Sequence, residues 1–146
     1  MTLSAAETWR RTVLPALGGG LGFWLTNFAI SLTPLAAEYR SALSIPYVPM
    51  LLEALVGGLV LGLGVAYTLV RFFDSGGAKP VRTALAISGA ALALVTIVLE
   101  VPAKFLTAVN DPVRYFLIGL LLNVLRILVL GAVTGLLCGR RRALPA

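Results

Sequence analysis

Histidine is missing from this 146-residue chain, cysteine occurs once, as Cys138, and charged residues make up only 12%. Without histidine, and with a single thiol, the chain has no His-ligated haem, no His-based zinc site, no Ser–His or Cys–His dyad and no internal disulfide. No metal and no cofactor is therefore expected. Aspartate is nearly as scarce: Asp74 and Asp111 are the only two, and both fall outside the long apolar runs. Ordinary soluble domains carry about 25% charged residues, so this chain has too little polar surface to cover a water-soluble globule. What it has instead is 59% hydrophobic residues and a mean hydropathy of +0.97. That balance indicates a membrane protein and excludes a disordered, collagenous or disulfide-built chain.

Charges divide the sequence into long apolar runs. Between Arg11 and Glu38 lie 26 uncharged residues, and between Glu53 and Arg71 lie 17, extendable back to Tyr47. A third run opens at Thr83 and continues through Glu100 to about Leu106; a fourth goes from Tyr115 to Gly139, interrupted only by Arg126. A helix needs about 20 residues to cross a bilayer, and it satisfies its own backbone there. The expectation is an all-α, polytopic membrane protein: a single domain over 1–146, a four-helix transmembrane bundle with spans near 12–36, 47–70, 83–106 and 114–139. Ser4 and Glu7 have capping-box spacing, which predicts a short interfacial helix over 4–11. Its Trp9, Arg10 and Arg11 suit the headgroup layer. Asp74-Ser75-Gly76-Gly77 has turn chemistry, and Asp111-Pro112 reads as an N-cap followed by proline at the first helical position. Leu35-Ala36-Ala37 resembles a cleavage site, but the first run exceeds the 7–15 residues of a signal-peptide core, so it is expected to stay as a span.

The cations set the orientation. Arg10, Arg11, Arg71, Lys79, Arg82, Arg140, Arg141 and Arg142 fall at one side of this topology, and Arg40, Lys104 and Arg114 at the other. Positive loops remain inside, so both termini are expected in the cytoplasm, as in a prokaryotic inner membrane. The same distribution accounts for the net charge of +6 without nucleic acid, because the cations sit at span ends and not on one groove-facing patch.

Inside the membrane the informative side chains are those that are expensive there. They are Asn27 in span one, Glu53 in span two, Glu100 in span three, and Asn123 with Arg126 in span four. At about 1.5 Å per residue, Glu53 and Glu100 lie roughly 9 Å from the outer helix ends, the asparagines roughly 14 Å and Arg126 roughly 18 Å. Side chains lean toward the N-terminus of their own helix, so Arg126 leans outward and Glu100 inward. These two are the expected ion pair, which leaves Glu53 without a cation. A pair of this kind can simply glue helices together, and asparagines can do the same through interhelical hydrogen bonds. Pro102 is expected to free a carbonyl close to Glu100. Pro15 with Gly18-Gly19-Gly20 is expected to bend or loosen span one. The four-residue spacing of Gly131, Gly135 and Gly139, and of Gly58 and Gly62, lets helices approach closely.

Three functions fit these residues. One is a small transporter or channel, homo-oligomeric, with Glu53, Glu100, Arg126, Asn27 and Asn123 lining a polar cavity in the outer half of the bilayer. With two acids and one base, that cavity would suit a proton or a small polar or cationic ligand. Another is a non-catalytic accessory subunit partnered by other membrane subunits. The third is an intramembrane enzyme acting on lipid, for which Glu53 and Glu100 are the only acid–base candidates; a non-enzyme is the expectation.

Overall fold

The computed structural model describes residues 4–73 and 79–143, without the side chains of Phe73 and of 141–143. The turn expected over Asp74–Gly77 lies outside the described residues. Helix α1 (Ala5–Ser31) starts where the sequence predicts, with the Ser4 hydroxyl accepting from the Glu7 amide at 3.2 Å. It then continues without interruption, so the interfacial helix and span one are a single element. Pro15 sits inside it, and Gly18–Gly20 remain helical. These glycines serve close approach: a Cβ on Gly20 would stand 2.8 Å from the Leu59 Cα, and one on Gly62 would stand 2.9 Å from the Gly20 amide nitrogen.

A second helix, α2 (Pro34–Ala42), follows where span one was expected to run on to residue 36. The Thr33 hydroxyl caps it by accepting from the Ala36 amide, and Pro34 begins it. Then come α3 (Tyr47–Phe73), α4 (Pro80–Val95), a π-helical turn over Thr96–Glu100, α5 (Val101–Phe105) and α6 (Pro112–Ala143). Among the described residues, four helical stretches are long and apolar enough to cross a membrane: Ala5–Ser31, Tyr47–Phe72, Pro80–Phe105 and Pro112–Arg140. The last starts as predicted, Asp111 accepting from the Arg114 amide at 3.2 Å while adopting φ +56°. Aspartate tolerates that left-handed conformation better than most residues.

Registers follow from the glycine contacts. Gly20 lies against Gly58 and Leu59, Gly18 against Leu137, Gly22 against Val129 and Val133, Gly131 against Ser88 and Gly119 against Glu100. Hence α1 is antiparallel to both α3 and α6, and α4 is antiparallel to α6. An apolar core of Phe23, Val65, Leu69, Val70, Ala84, Ile127, Leu130 and Cys138 fills the part of the bundle nearer the termini. The remainder, below α2, holds the charged side chains and the buried asparagines, whereas Thr8, Thr12, Ser88 and Thr134 are buried nearer the termini.

Candidate functional site

The Glu100 carboxylate is the centre of this polar region. It accepts from Asn123 Nδ2 at 2.9 Å and from the Tyr39 hydroxyl at 3.4 Å, and it pairs with Lys104 Nζ at 3.2 Å. Lys104 follows Glu100 by four residues, hence on the same helical face, and is only 4% exposed. Its ammonium also stands 5.1 Å from the centre of the Tyr39 ring. Gly119 on α6 makes room for all of this: a Cβ there would be 2.6 Å from Glu100 Oε2 and 2.8 Å from the Tyr39 hydroxyl.

The local backbone is unusual for a reason. Pro102 has no amide to donate into the helix, and the turn before it is widened so that the Val101 amide donates to the Thr96 carbonyl, five residues back. Such π turns cluster at functional sites. Here the turn leaves the Thr96 hydroxyl buried with no hydrogen-bond partner.

Helix α2 closes the site from its end of the bundle, with Ala36 and Tyr39 buried. Burial, the largest effect, holds the Tyr39 phenol above its ordinary pKa, so the hydroxyl keeps its proton and donates to Glu100. Three ties hold α2 down. Arg40 donates to the Ser31 carbonyl at 2.9 Å, Arg114 pairs with Glu38 at 2.6 Å, and the Tyr39 and Tyr115 rings meet edge to face.

The expected Arg126–Glu100 ion pair is not formed, because Lys104, Asn123 and Tyr39 already occupy the carboxylate. Arg126 interacts with Glu100 and Tyr39 only at longer electrostatic range. Among the described residues it has no ion-pair partner within 4 Å, and its Nε is buried without a hydrogen bond. Asn27 is 2% exposed, and its Nδ2 also lacks a partner. The α1–α6 register, continued five residues past Gly22, puts Asn27 level with Arg126. The α4–α6 register puts Thr96 level with Asn123. Glu100 and Asn123 are hydrogen-bonded, and Arg126 with Asn27 lies about one turn deeper than Asn123.

Glu53 does not. It is exposed on α3, and no hydrogen bond or ion pair joins it to the others. Gly57, one turn further on, faces open space, whereas Gly58 packs on Phe23. Sequence reasoning missed Lys104 and Tyr39. Lys104, at the end of the expected third span, entered only as one of the outer-side cations, although its four-residue spacing from Glu100 is a signal for pairing. Tyr39 had no such signal, since the separate helix α2 that carries it was not foreseen. The exchange of Glu53 for Lys104 changes the charge of the buried cluster from the expected −1 to +1: Glu100 against Lys104 and Arg126.

Compared with known proteins, the chain matches no protein-family model, no curated protein and no solved structure.

Proposed function

We propose that this protein is a small membrane transporter whose substrate is a polar solute carrying a carboxylate or a similar anionic group. One observation carries the reading: the Arg126 guanidinium lies deep in the fourth span with no direct counter-ion among the described residues. An arginine at such a depth costs at least about 2.5–3.5 kcal/mol on insertion scales, and the nearest carboxylate, Glu100, is already paired with Lys104. An anionic group between Arg126 and the Asn27 amide would satisfy both donors in a layer where water is scarce. Helix α2 is the gate on this reading, since it covers Glu100 and is tied down by the surface Glu38–Arg114 pair. The Lys and Arg distribution supports an orientation with α2 outside and both termini in the cytoplasm, as in an inner membrane.

A panel of acetate, succinate, glutamate, chloride and, as cations, sodium and ethylammonium tests the reading by ligand-induced stabilisation. A ligand at 100 times its Kd stabilises by about 2.7 kcal/mol. At least one anion should stabilise the wild type in detergent and enter proteoliposomes, and Arg126→Gln should lose both effects while remaining folded. Stabilisation by the cations alone, or an anion response unchanged in Arg126→Gln, overturns it.

A specific observation favours a second reading, the accessory subunit. The third span has only 11% of its residues buried, against 33% for the first and fourth. It leaves Leu94, Ile97, Val98 and Leu99 facing outward. Co-purification with another membrane protein in fixed ratio would support that alternative.

A further inference from the structure

The opposite end of the bundle holds a cavity of about 170 Å³ lined by Ala5, Thr8, Trp9, Tyr67 and Arg71. A single water needs only about 10–15 Å³ measured in this way, so the space suits a group of several heavy atoms. Its walls are the first two turns of α1 and the last two of α3. Trp9 and Tyr67 are 50% and 38% exposed, with ring centres 5.9 Å apart. Paired amphipathic rings of this kind are found at the headgroup level of a membrane.

The cavity is electropositive from two independent sources. Arg71 is one of its walls. The other is the start of α1, whose first residue, Ala5, also lines the space; Ser4 accepts from the Glu7 and Thr8 amides, and the positive end of the helix dipole lies at this edge of the recess. The acid closest in sequence, Glu7, is neutralised by Arg11 at 2.8 Å. Toward the membrane centre the surface turns apolar at once. Val13 and Leu17 of α1 and Val60 and Leu63 of α3 are exposed, and Gly64 faces open space. A cationic recess next to exposed apolar side chains of α1 and α3 has the chemistry of a phosphate on one side and an acyl chain on the other.

We infer that this recess is a binding site for one anionic phospholipid. Its phosphate lies between Arg71 and the first turn of α1, its glycerol lies against Trp9 and Tyr67, and one acyl chain follows the α1–α3 crevice. The site is independent of the polar cluster beneath α2. Zwitterionic lipid carries the same phosphate but adds a fixed cation that the Arg71 side repels, so headgroup charge is the discriminating feature.

The test uses the full-length protein in detergent with mixed micelles. Native mass spectrometry should find one phosphatidylglycerol retained per chain in preference to phosphatidylcholine, with at least tenfold weaker retention in Arg71→Gln. Arg82→Gln, which removes a cation that does not line the recess, should retain it as the wild type does. In a Trp24→Phe background, Trp9 fluorescence should be quenched saturably by acyl-brominated phosphatidylglycerol. Millimolar inorganic phosphate should not compete. Equal retention of the two lipids, equal loss in Arg71→Gln and Arg82→Gln, or full competition by inorganic phosphate each overturns the assignment. The mass-spectrometric arm does not depend on Trp24→Phe, which also removes the bond from Trp24 Nε1 to the Leu51 carbonyl.

Discussion

Adding one methyl group at Gly119 is the most direct test of the polar site. In Gly119→Ala the new Cβ would stand 2.6 Å from Glu100 Oε2, 2.8 Å from the Tyr39 hydroxyl and 3.3 Å from Glu100 Cδ. A carboxylate at the end of a free side chain would swing aside cheaply. This one is held by Asn123 on Oε1 and by Lys104 on Oε2, so retreat stretches at least one of those contacts. The Tyr39–Glu100 bond, already long at 3.4 Å, is the first to go. Overpacking costs about 1–3 kcal/mol, and the lost hydrogen bond adds about 0.5–1.5 kcal/mol. Alanine returns up to about 1 kcal/mol through helix propensity. The net expectation is a loss of about 1–3 kcal/mol. At about 2–4 °C per kcal/mol for a chain near this size, Tm falls by roughly 2–12 °C.

The controls are Gly57→Ala and Gly89→Ala, where a Cβ meets nothing within 4 Å; both should equal or slightly exceed wild-type stability. Cys138, the chain's only thiol and buried, reports unfolding when a thiol-reactive dye gains access during a temperature ramp. A Tyr39→Phe background removes one of the two obstructing oxygens and should shrink the cost of Gly119→Ala. If Gly119→Ala is as stable as Gly89→Ala, the carboxylate is not pinned there and the described cluster is wrong.

Removing Lys104 alone, as Lys104→Met, should cost up to about 3 kcal/mol, below the range for fully buried pairs, because it strips the nearest cation from a half-buried carboxylate that keeps its bonds to Tyr39 and Asn123. Lys104→Met with Glu100→Gln should regain at least half of that in the same thiol-access assay, and a double variant no more stable than the single one counts against the pair. Glu53→Gln should leave folding, ligand-induced stabilisation and their pH dependence unchanged, since Glu53 is exposed and lies outside the cluster; an altered pH profile would return it to the mechanism. For orientation, Ser41→Cys and Lys79→Cys should react with a membrane-impermeant maleimide from opposite faces, the former from outside. Labelling of both from one face would refute the topology.

The spans were legible because the signal for a transmembrane helix is long and redundant. Twenty apolar residues in a row tolerate small errors at either end, and both Ser4 and Asp111 announced their helices through short-range capping that involves no tertiary contact. The error over span one is instructive in the same terms. The uncharged run from Thr12 to Ala37 contains the stop at Leu32-Thr33-Pro34, and Thr-Pro is itself a cap-and-start signal. Charge counting passed over it. The cost was the separate helix α2, and with it Tyr39. The triple glycine misled differently: flexibility in isolation became close packing in context, because Gly20 is in contact with α3 from one side while Gly19 meets α6.

The site was half legible, and the missing half reversed its electrostatics. Residue type identified Glu100, Asn123, Arg126 and Asn27, because polar groups at these depths must face the bundle interior whatever the details of packing. What hydropathy cannot decide is whether a charge near a helix end snorkels outward or turns in. Glu53 and Lys104 are both ionisable residues close to that end of the bundle, and depth alone ranks Glu53 as the deeper. Packing decides otherwise. Glu53 lies on the outward face of α3, while the four-residue step from Glu100 and the roof of α2 draw Lys104 inside. One exchange moves the cluster from the expected net −1 to net +1, which is why the proposed ligand changes from a cation or proton to an anion. On this reading selectivity rests on charge and on one unused donor: the Arg126 Nε is buried without a hydrogen-bond partner among the described residues, so an entering carboxylate finds a free N–H, whereas an entering cation faces a cluster in which two cations outnumber the single Glu100 carboxylate.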